Sequence, residues 1–143
     1  MSGALFDTSV TALQHDLVEL PDGTRRVGVV RSPTPWFHEI VDENRPALGP
    51  PRALLDEFRD LQTSFTLDGM CEAGAHNAAW EELDFERRYR ASLDTADTQA
   101  VIADLRDRLA DGTDVALVCF ENTDQKRCHR TILREELTRR RES

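Results

Sequence analysis

A cysteine, a histidine and an arginine stand in one tripeptide, Cys128-His129-Arg130, where a polar loop gives way to a helical pattern. A thiol at a helix amino end beside Arg127, His129 and Arg130 feels both the helix dipole and several cations. Both favour the thiolate, so the Cys128 pKa is expected to fall below the reference of about 8.5. Cys128 is therefore a candidate nucleophile, against the plainer reading of a small capping residue packed under the loop. His129 is a candidate general acid or base. The alternative for it is a first-turn histidine that hydrogen-bonds a carbonyl. Arg130 and the free N–H groups of a helix start form a candidate anion clamp. Otherwise Arg130 pairs with Glu121 or Asp124 and fixes the loop. Arg31 is a second candidate cation for the same crevice, because it leaves another apolar strand. Cys119 and Glu121 are candidate supporting residues, Glu121, two residues past Cys119, being a carboxylate able to orient His129.

Zinc is the competing chemistry, since Cys119, Cys128 and His129 lie close in sequence and Cys71 with His76 would extend the set. Tetrahedral zinc sites draw on tight ligand pairs, two cysteines separated by two to four residues, and the chain has no such pair. No metal and no cofactor are expected. Three cysteines are an odd number without a secretory context, so all are expected to be reduced.

The elements that must position these residues follow from patterning. Val115-Ala116-Leu117-Val118-Cys119-Phe120 is an unbroken apolar run, the mark of a strand buried on both faces. The polar loop beginning at Glu121 ends it, and a helix is expected from Thr131. Earlier, Leu17, Val18 and Leu20 precede the turn Pro21-Asp22-Gly23-Thr24, and Val27-Gly28-Val29-Val30 follows it, which predicts an N-terminal hairpin. Pro33 and Pro35 end that second strand just after Arg31. Pro51 opens a helix with the stripe Leu54, Leu55, Phe58 and Leu61. Another helix runs from about Thr98 to Ala110, with Gly112 just past its end. Trp80, Phe85 and Tyr89 recur at helical spacing and read as core rather than as a base-stacking platform. The small-residue stretch from Cys71 to Asn77 permits close backbone approach, either to a ligand or, as the plainer reading, in a tightly packed helix start. Helices and strands alternate without a repeat, which predicts a single α/β domain over residues 1–143, its mostly parallel sheet flanked by helices. In such sheets ligands bind where strand carboxyl ends meet helix amino ends.

The chain carries 27 acidic and 18 basic residues, a net charge of −9, and Lys126 is its one lysine. An acidic, lysine-poor surface of this kind is expected of a salt-adapted cytoplasmic protein, and it disfavours broad nucleic-acid affinity. Arg139-Arg140-Arg141 complement the dipole at a helix carboxyl end and are too few to make a nucleic-acid face. No apolar stretch approaches the roughly 18 residues of a membrane span, and the first residues lack a secretory signal pattern, so no membrane partner is expected.

Four segments together resemble a known family. They are Arg31 with Pro33, then Phe85-x-x-Arg88-Tyr89-x-x-x-Leu93, then Leu117-Val118-Cys119-Phe120-Glu121, and finally Cys128-His129-Arg130. The order resembles the uncharacterised family catalogued as domain of unknown function 488, over roughly residues 24 to 138. Its members commonly end in an apolar strand with Cys-x-Glu and a Cys-His-Arg step into the last helix. Relatives commonly carry Asp before the early arginine, where this chain has Val30. The resemblance implies a small α/β fold and no settled activity. The expected function is an anion- or phosphate-binding crevice at the last strand-loop-helix unit, with a small anionic ligand held by Arg31 and Arg130. An enzyme acting on a phosphorylated or nucleotide-like substrate is the first hypothesis for its use. A non-catalytic module for nucleic acid or protein is the alternative, and a metal-stabilised structural domain is the third reading.

Overall fold

The computed structural model describes residues 3–31, 33–119 and 128–141, with side chains as far as residue 138. Its four strands form one all-parallel sheet in the order β1-β4-β2-β3, built from β1 (Leu5–Ser9), β2 (Arg25–Gly28), β3 (Glu43–Asn44) and β4 (Val115–Cys119). Strand β4 lies between β1 and β2, and all five of its residues are buried, as its unbroken apolar run requires. The register pairs Ser9 with Cys119 and Gly28 with Val118. Because all strands run the same way, Ser9, Cys119 and the exit of β2 reach one edge of the sheet together. The β2–β4 pairing continues one step further, Val29 N–H donating to the Val118 carbonyl at 3.0 Å.

The α/β class and the parallel sheet are as the patterning predicts, but the N-terminal hairpin is replaced by a strand and a helix. Pro21 to Thr24 do turn, with Thr24 N–H on the Pro21 carbonyl and Gly23 at φ 84°. What enters the turn is not a strand, and Leu17 is 72% exposed. Strand β2 has β4 on one side and β3 on the other, so neither edge is open to a hairpin partner. The first strand is instead β1, followed at once by α1 (Val10–Gln14), whose start Ser9 caps by accepting the Ala12 N–H at 3.2 Å.

The short helix α2 (Phe37–Ile40) and a 3₁₀ turn (Pro46–Leu48) lead into α3 (Arg52–Leu67). Then come α4 (Glu72–Glu82), α5 (Phe85–Ser92) and α6 (Ala96–Ala110). Asp84, at φ 53°, takes the left-handed turn that separates α4 from α5. The last helix, α7 (His129–Arg141), starts two residues before the expected Thr131 and packs on β1, β4, α5 and α6. Buried side chains from both the sheet and the helices form one apolar cluster. Among the described residues no helix is long and apolar enough to cross a membrane.

Candidate functional site

A cavity of about 190 Å³ opens at the carboxyl edge of the sheet, between the exits of β2 and β4, the start of α7, and helices α3 and α4. Cys119, Cys128 and His129 line it, as do Val30 and Arg31. Local sequence does not reveal that the exit of β2 meets the start of α7, because it depends on β4 inserting beside β2 from 86 residues further along (Val29 to Val115).

Cys128 sits one residue before α7 and is 4% exposed. Its Sγ lies 2.8 Å from Cys119 Sγ and 3.7 Å from His129 Nδ1. The Cys119 sulfur first, and then burial, push the Cys128 thiol well above its usual pKa. The Arg130 backbone N–H and guanidinium pull the other way and are outweighed. The fall expected from the helix end and neighbouring cations is therefore reversed, because the second sulfur and desolvation outweigh them.

His129 Nε2 is 2.6 Å from the Val29 carbonyl. A carbonyl only accepts, so Nε2 carries the proton and Nδ1 presents its lone pair toward Cys128. Burial, with a smaller push from Arg130, lowers the imidazole pKa to about 4 despite the Val29 bond. The Tyr89 ring meets the imidazole edge-on at 5.3 Å, and Tyr89 Oη donates to the Leu48 carbonyl at 2.6 Å. The group that orients His129 is thus the Val29 main chain; Glu121, the candidate for that task, lies outside the described residues.

The two arginines have different surroundings. Arg31 lines the cavity, its guanidinium anchored by Nε on the Pro50 carbonyl at 3.1 Å and Nη2 on the Gly49 carbonyl at 3.0 Å. Arg130, 3% exposed, gives Nε to Asp7 Oδ1 at 3.1 Å and Nη1 to the Thr8 carbonyl and to Cys119 Sγ, the last at 3.2 Å. Its carboxylate partner Asp7 comes from β1, a strand that the apolar patterning does not mark.

Helices α3 and α4 supply walls that patterning alone left in the core. Leu55, Phe58, Arg59 and Gln62 line the cavity at helical spacing, and an arginine and a glutamine continuing an apolar stripe were the signal to find them. Trp80 and Phe85 are buried as expected of core residues, yet they also face the cavity, stacked on each other at 4.1 Å with 16° between planes. Phe58 meets Phe85 and the buried, cavity-lining His76 edge-on.

Cys71 is exposed and caps α4, its Sγ accepting the Gly74 N–H at 3.3 Å. Among the described residues no group of three or more His, Cys, Asp or Glu side chains is arranged to hold a metal ion.

No curated protein and no solved structure matches the chain. A family match spans residues 10–141, from the end of β1 through the cavity-forming elements to the end of α7. The chain therefore belongs to the DUF488-N3a family, the active DUF488-N3 subclade.

Proposed function

We propose that the protein is an enzyme acting on a phosphorylated or nucleotide-like substrate, with Cys128 as nucleophile and His129 as its base. The observation that carries this reading is the alignment of Cys128 Sγ, His129 Nδ1 and the Val29 carbonyl, in a cavity that Arg31 also lines. A nucleophile, a base and a group orienting the base is the general logic of an activated thiol or hydroxyl. With a pKa of about 4, His129 is neutral at pH 7 but a weak base. The thiol proton therefore moves to Nδ1 only together with the attack of sulfur on the substrate. His129 then returns that proton to the leaving group.

Arg31 is the anion-binding cation in this reading, since its two carbonyl anchors fix the guanidinium at the cavity wall. Arg130 acts as a positioning residue that ties α7 to β1 and holds the Cys119 sulfur. The Trp80–Phe85 pair and Phe58 give the cavity an aromatic wall suited to a planar base. The family's description as an active subclade accords with an enzyme.

Incubation with a panel of nucleoside mono- and diphosphates, followed by chromatography, tests the reading. Turnover is expected in the wild type and should vanish in Cys128→Ser and His129→Ala, while Cys128→Ser keeps its affinity. One observation favours a second reading: burial and Cys119 keep the Cys128 thiol protonated. A binding module built on Arg31 would show affinity without turnover, and Cys128→Ser would change nothing.

A further inference from the structure

Cys119 and Cys128 are 1% and 4% exposed, their sulfurs are 2.8 Å apart, and both line the cavity. Two thiols need not be neighbours to fill a core, and each here has a second polar partner. Arg130 Nη1 donates to Cys119 Sγ at 3.2 Å, the kind of contact that favours a thiolate. His129 Nδ1 lies 3.7 Å from Cys128 Sγ and can accept its proton. One sulfur is therefore placed to be charged, and the other holds its proton beside the Nδ1 that takes it as the S–S bond forms.

We propose that Cys119 and Cys128 are a reversible two-electron redox couple that closes to a disulfide when hydrogen peroxide enters the cavity. The Cys119 thiolate attacks one peroxide oxygen; the S–O bond forms, the O–O bond breaks, and the departing hydroxide takes a proton to become water. Cys119 is now a sulfenic acid. Cys128 gives its proton to His129 and attacks the Cys119 sulfur, so the S–S bond forms, the S–O bond breaks and a second water leaves with that proton. Two thiols and one peroxide thus become one disulfide and two waters. A dithiol reductant reverses the change by thiol–disulfide exchange. The couple needs no substrate, so it stands whether or not the cavity turns one over. Closing it withdraws the Cys128 sulfur from nucleophilic use.

The test treats the full chain with one equivalent of hydrogen peroxide, alkylates the remaining thiols under denaturing conditions and digests with trypsin. Cleavage after Lys126 and Arg127 separates Cys119 from Cys128, so only a disulfide holds their peptides together. The expected result is loss of alkylation at both residues, a joined peptide lighter by two hydrogens, and full recovery with dithiothreitol. Exposed Cys71 serves as the internal comparison. In Cys128→Ser, the Cys119 sulfenic acid should persist and be captured by dimedone. Should that variant fail to fold, the wild-type peptide map decides alone. Free alkylation of Cys119 and Cys128 after peroxide, or oxidation confined to Cys71, would overturn the proposal.

Discussion

At the scale of single residues, burial sets the chemistry of His129. His129 lies next to Arg130 in a helix first turn, yet desolvation is the largest influence on its imidazole. Its pKa of about 4 lies below the ordinary 6.5, so the unfolded chain takes up this proton first on acidification. The His129 contribution to stability is complete above pH 6.5 and is lost as pH falls toward 4, by on the order of 3 kcal/mol. Burial raises the Glu43 carboxyl, but Arg108, Arg25 and Arg45 together outweigh it and hold the group below 4.5. Its loss thus begins only in more acid solution, leaving His129 the earlier window. Urea unfolding between pH 7 and 5 should show stability falling with pH in the wild type and a flatter profile in His129→Gln. Equal slopes would contradict the assignment. Tyr89→Phe should cost about 1–2 kcal/mol in the same assay, because it leaves the buried Leu48 carbonyl without its donor. A cysteine, a histidine and an arginine in sequence marked this place. The sign of the Cys128 shift was hidden because it depends on a sulfur nine residues away and on burial, neither of which spacing conveys.

At the scale of elements, the site depends on two close approaches. Gly49 packs against the backbone at Arg31, where an added Cβ would collide with the Arg31 main-chain nitrogen and lie 2.9 Å from its Cα. Gly49→Ala should therefore destabilise the fold by about 3 kcal/mol and displace the Arg31 anchors, since backbone cannot yield as a flexible side chain does. A thermal melt within error of wild type would contradict this. Gly28 is similar: a Cβ there would meet the Phe37 ring and Asn44 Oδ1. Asn44 bridges β3 to the exit of β2, accepting from the Val30 N–H and donating to the Val30 carbonyl. The last strand and last helix were legible because an apolar run, a polar break and a helical period follow one another locally. The meeting of Arg31 with Cys128 was not legible, since it follows from β4 entering between β1 and β2. The hairpin reading failed for the same reason: a correct turn does not say which strands pair. Strand β1 carries little sequence signal because Leu5-Phe6-Asp7-Thr8-Ser9 is short and half polar, and its burial comes from β4 beside it.

For the whole molecule, a net charge of −9 and a set of ion-pair clusters push in opposite directions as salt is added. Glu43 gathers Arg25, Arg45 and Arg108, while Arg90 binds Glu86, Glu135 and Glu136. Raising sodium chloride from about 0.1 M to about 1 M shortens the screening length from about 10 Å to about 3 Å, weakening both effects. Exposed pairs contribute little each, whereas like-charge repulsion acts across the entire surface, so Tm should rise by about 5 °C. A fall would mean that the clusters dominate. The same molecule-wide folding brings Arg31, the Phe58–Gln62 face of α3 and the Cys128-His129 step around one cavity, and the functional reading rests on that convergence. Calorimetric titration of the wild type, Arg31→Ala and Cys128→Ser with nucleoside monophosphates tests it most directly. Binding should be saturable, at least about tenfold weaker in Arg31→Ala and little changed in Cys128→Ser. No binding by the wild type, or equal affinity in Arg31→Ala, would contradict it.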